Sequence, residues 1–148
     1  MKITSIGLLF TTACFLLAGC KKEDNTISPV PEIEVVSVSP ATVTEFKDSI
    51  VFVISYKDGD GDLGQNESGI QNLFITDTRN GVVFGSRIQQ LAPDGSDIAI
   101  QGKVQVTLNS TTITDQSSSQ SVVYEVYVVD RAGNKSNVAI APAITVVR

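Results

Sequence analysis

The chain contains no histidine and no tryptophan, and only two cysteines in 148 residues. Without histidine, neither a serine–histidine–aspartate nor a cysteine–histidine relay can be assembled. Zinc cages built from cysteine and histidine are excluded for the same reason. Without tryptophan, a sugar-binding platform loses its best stacking residue. There is no phosphate-binding or dinucleotide-binding glycine pattern, and no segment keeps a helical period of apolar residues. Basic residues are in the minority, 11 against 16 acidic, for a net charge of −5. No basic stripe or basic helix is present, which argues against nucleic acid as a partner.

What is present begins with Lys2 and an apolar run from Ile3 to Leu17. A comfortable membrane span needs roughly 20 apolar residues, so this run is too short for one and has the length and flanks of a signal peptide. It ends Leu17-Ala18-Gly19-Cys20, which resembles the lipobox of bacterial lipoproteins. The resemblance implies that residues 1–19 are removed and that Cys20 becomes a lipid-modified first residue, carrying diacylglyceryl and acyl (palmitate-type) chains. Several acyl chains on one residue anchor a protein stably to a membrane. Cys14 would leave with the signal, so the mature chain would hold one cysteine, acylated, and no disulfide. Lys2 would leave too, taking the net charge to −6.

Lys21-Lys22-Glu23-Asp24 follows. Lys rather than Asp after the lipidated Cys points to the outer membrane. Lys followed by acidic residues resembles the surface-export signal of lipoproteins of the Bacteroidetes; a solvated charged tether is the competing reading. The expected location is therefore the outer membrane, on its periplasmic face or at the cell surface. Residues 20–31, with Pro29 and Pro31, read as the lipidated Cys and a flexible tether. Residues 32–148 are the size of one small domain.

That domain reads as strands throughout. The apolar or alternating runs are 33–38, 49–56, 70–76, 82–88, 98–108, 122–129 and 138–147. Asn80-Gly81 between the third and fourth is a hairpin signal. Seven short strands separated by turns indicate an all-β, antiparallel β-sandwich. The sixth run, with Tyr124, Val126, Val128 and Asp130 at alternate positions and then Gly133, Asn134 and Ser136, resembles the F strand and F–G turn of fibronectin type III and related bacterial immunoglobulin-like domains. That resemblance implies a seven-stranded immunoglobulin-like sandwich with Tyr124 as its tyrosine corner, the hydroxyl bonding back to the chain. Phe52 is expected to fill the space that a core tryptophan takes in many such domains.

One loop carries concentrated chemistry: Asp58-Gly59-Asp60-Gly61-Asp62-Leu63-Gly64, with Asn66 just beyond. Three carboxylates at alternate positions, spaced by glycines, can curl around one cation, and Ca²⁺ takes six to eight oxygens. The loop resembles the start of an EF-hand but departs from it. Leu63 displaces the expected glycine, Gly69 stands where the bidentate Glu should be, and strands flank it. The expectation is a calcium loop on a sandwich, with Asp58, Asp60, Asp62 and Asn66 as ligands. Asp130 and Asn134, on a loop at the same end, are expected to add oxygens or to brace it. A polar glycine-rich turn is the plainer alternative.

A carboxylate pair can hydrolyse glycosides, but a small sandwich rarely offers a deep enough cleft, so no enzymatic activity is expected. The leading reading is a lipid-anchored binding or adhesion module for an unknown protein or glycan ligand. The alternative is a structural or accessory subunit of an outer-membrane assembly.

Overall fold

The computed structural model describes residues 27–148. The expected signal peptide and Cys20 lie outside them. The described residues form ten strands and no helix: β1 Glu32–Ser39, β2 Thr42–Thr44, β3 Ile50–Asp58, β4 Leu73–Asp77, β5 Val83–Ser86, β6 Ile100–Leu108, β7 Ser119–Val122, β8 Tyr124–Val128, β9 Ala139–Ile140 and β10 Ile144–Val147. They pair into sheets ordered β1-β3-β6, β5-β4-β8-β9 and β2-β10-β7. The first two sheets are antiparallel throughout, and the short third one holds a parallel pair, β2 with β10. The architecture is all-β, consistent with a β-sandwich.

Alternation along the strands decides which side chains enter the core. On β3 these are Ile50, Phe52 and Ile54; on β4, Leu73 and Ile75; on β8, Tyr124, Val126 and Val128. Phe52 and Tyr124 meet edge to face, ring centroids 5.5 Å apart, a favoured aromatic geometry. Phe52 is fully buried in this core cluster. The Asn80-Gly81 signal also holds. β4 and β5 pair antiparallel across it, with Gly81 at φ 73° donating to Asp77 O at 2.8 Å.

The seventh run breaks in its middle, and the sixth breaks after its first residue, Val122, which belongs to a strand starting at Ser119. The sixth divides at Val123, so that β7 pairs with β10 while β8 pairs with β4. Val123 O turns out of the ladder to accept from Thr78 N and Thr78 Oγ1. The seventh divides at Ala141-Pro142-Ala143, because proline has no N–H for a ladder.

Tyr124 is fully buried, and its hydroxyl donates at 2.9 Å to Thr111 Oγ1, thirteen residues upstream. The expected backward bond exists, but its acceptor is a side chain rather than the backbone. Thr111 Oγ1 also accepts from Arg79 Nη2, which in turn pairs with buried Asp77 at 2.6 Å.

Candidate metal centre

β3 alternates inward to its end, and its last inward position is Asp58 rather than an apolar residue. The carboxylate is therefore carried into the domain, with zero exposure. Asp58 Oδ2 accepts Leu63 N at 2.8 Å across the loop. Leu63 is fully buried in the core cluster, so it anchors the loop from below. That role explains why an apolar residue stands where an EF-hand would carry glycine.

The loop after β8 closes the other side. Asp62 Oδ2 accepts Ala132 N at 2.9 Å, Asp62 O accepts Arg131 N at 3.3 Å, and Arg131 Nη1 donates to Gly64 O at 2.7 Å. After these bonds, three buried oxygens keep no hydrogen-bond partner: Oδ1 of Asp58, of Asp60 and of Asp62. Buried polar atoms are almost always satisfied, so three orphans on neighbouring carboxylates require an explanation. One carboxylate oxygen from each of the three residues lies within 4.8 Å of the others. Oxygens bonded to one calcium at about 2.3–2.6 Å can lie up to about 5 Å apart, so a single ion can reach all three.

The electrostatics agree. Burial, helped by the charges of Asp60 and Asp62 and opposed by the Leu63 N–H, pushes the Asp58 carboxyl up to about 6. Burial also raises Asp62, with the charge of Asp130 adding to it. Without a cation the cluster resists holding all its charge.

The other expected ligands lie differently. Asp130 and Asn134 close on each other: Asp130 Oδ1 accepts Asn134 N at 2.7 Å, and Asp130 Oδ2 accepts Asn134 Nδ2 at 2.9 Å. They shape the tight turn that carries Arg131 and Ala132, and it is those two residues, not Asp130 or Asn134, that bond the acidic loop. Asn66 is exposed and bonds Gln90, donating to Oε1 at 2.8 Å and accepting from Gln90 N at 3.3 Å. It is not gathered with the three aspartates. Sequence reasoning missed Leu63, Arg131 and the Ala132 N–H, since a backbone donor leaves no mark in a sequence.

It also missed a contact at Gly59. Gly59 N donates to Ser28 O at 2.8 Å, and a Cβ at Gly59 would overlap Ile27 O. The stretch read as tether is thus attached to the domain before β1 begins, and Pro31 is buried. Gly61, at φ 75°, is crowded in the same way by Ile98 O.

Compared with protein-family models, curated proteins and solved structures, the chain finds no match in any of the three.

Proposed function

We propose that this chain is a lipid-anchored, non-enzymatic binding module of the outer membrane. In this reading its immunoglobulin-like sandwich is locked at one end by a calcium ion held by Asp58, Asp60 and Asp62. The three partnerless buried carboxylate oxygens are the observation that carries the ion. Their burial favours a structural ion over one that bridges to a ligand, and bracing by the Asp130–Asn134 turn supports the same view.

The pairing order supports the immunoglobulin-like reading. Joining β1 with β2, β7 with β8, and β9 with β10 leaves seven runs. The first, second and fifth then share one sheet, and the fourth, third, sixth and seventh share the other. Such a sandwich groups its loops at two ends, and the bond between Asp62 and Ala132 puts the acidic loop beside the loop after β8. The lipid anchor rests on Leu17-Ala18-Gly19-Cys20.

Calorimetric titration of the mature chain tests the ion. Extracellular calcium modules bind at about 0.1–1 mM, and a site of that strength gives saturable heat. Absence of binding up to about 10 mM, beyond the weakest such modules, would reduce the loop to a turn.

A further inference from the structure

The loop that gathers the three carboxylates also holds the end of the tether. Among the described residues, the backbone bond that ties residues 27–31 to the rest of the domain is Gly59 N to Ser28 O, at 2.8 Å. Gly59 lies between Asp58 and Asp60. If both neighbours ligate one ion, the peptide between them is fixed, and its N–H points steadily at Ser28. If the ion leaves, three carboxylates in a buried cluster repel one another, and the peptide loses the constraint that aimed it.

The geometry leaves little slack. Gly59 has no side chain, which lets Ile27 O come against its backbone. From Ser28 the chain runs through Pro29 and buried Pro31 into β1, whose Glu32 pairs with Lys57, next to Asp58. Two prolines in three residues make that link stiff. Upstream, the seven residues from Cys20 to Thr26 span at most about 25 Å. Docking or releasing Ser28 therefore changes both the reach of the domain and its attitude to whatever surface Cys20 is fixed in.

We propose that calcium binding at Asp58, Asp60 and Asp62 docks the tether on the domain through Gly59, so that the ion sets how the domain stands on its membrane anchor. The proposal rests on the calcium and lipid-anchor readings above and adds to them a coupling between ion and tether. Coupling of this kind is reciprocal: a docked tether must tighten calcium by the factor with which calcium tightens the tether.

The test is nuclear magnetic resonance on the full mature chain in lipid nanodiscs, with calcium chloride and then with chelator. With calcium, the Ile27 and Ser28 amides should show order parameters near about 0.85, falling below about 0.6 with chelator. Exchange of the Gly59 N–H should slow about fivefold or more with calcium. Gly59→Ala keeps every carboxylate but drives Ile27 away. Its Asp62 and Ala132 amides should still shift with calcium, its Ile27 and Ser28 should stay mobile throughout, and it should bind calcium more weakly by about the factor seen in exchange. The wild-type comparison stands alone if that variant does not fold. Shifts at Asp62 and Ala132 with Ser28 equally ordered in both conditions overturn the coupling and leave the ion site standing. No calcium shift anywhere removes the ion site, and the coupling with it.

Discussion

Asp62 Oδ2 accepts the backbone N–H of Ala132 at 2.9 Å, joining two loops seventy residues apart in the chain. One carboxylate thus does two jobs: Oδ2 clasps the loop after β8, and Oδ1 is left facing its acidic neighbours without a partner.

The two jobs separate on Asp62→Asn. The amide keeps an oxygen for Ala132 N and loses the charge. Because burial and the charge of Asp130 raise the Asp62 carboxyl, neutralising it relieves the empty site. The ion-free variant should melt above the wild type in chelator, while its calcium affinity should fall about tenfold or more, as expected when an ion loses a charged ligand. Scanning calorimetry with and without calcium reads both. A lower melting point in chelator would show that the Asp62 charge stabilises the empty loop.

Asp58 sets a pH signature. Its carboxyl titrates near 6 in the folded protein against an ordinary 3.8, so between those values the native state binds more protons than the unfolded chain. Stability then falls as pH rises through that window. In chelator, the melting temperature should increase as the pH is lowered from 7 to about 4.5, a range that spans the shift. In calcium, protons compete with the ion, and the same acidification should remove the calcium-dependent gain. Melting curves in both buffers check the two signs; a chelated protein that loses stability steadily over this range contradicts the first.

The far end of the core gives a prediction independent of any ion. Tyr124→Phe removes a buried hydroxyl that donates to Thr111 and should cost about 1 kcal/mol. Arg79→Ala should cost about 3 kcal/mol or more, because it leaves Asp77, only 3% exposed, without its counter-charge. Urea denaturation measures both, and equal costs would mean that Asp77 is not held by Arg79.

Alternation made the strands legible because it is local. Ile50, Phe52 and Ile54 face the core as their spacing requires, and Asp58 follows them inward by the same rule. β2 had no such signal: three residues after a proline are ordered by β10, a hundred residues away. Tyr124 could be picked out, whereas its acceptor Thr111 sits in a polar stretch with nothing to mark it. The aspartates could be read as a cluster from their spacing. Their bracing could not, since Ala132 contributes a backbone N–H that any residue but proline would supply there. Ser28 at Gly59 is a contact between two backbones, and a sequence records no partner for those.

The proposed lipid anchor at Cys20 carries its own prediction. Cys20→Ala should abolish incorporation of labelled palmitate and leave the protein uncleaved or in the soluble fraction. Undiminished labelling of that variant would place the acyl chains elsewhere.

The most direct measurement for the proposed calcium site is anomalous diffraction from crystals of residues 20–148 grown with calcium. A single anomalous peak bonded to Asp58, Asp60 and Asp62 through their Oδ1 atoms, at about 2.3–2.6 Å, is the expected result, and it should vanish in crystals of Asp60→Ala. Carboxylates swung apart, with no peak between them at millimolar calcium, would contradict the assignment.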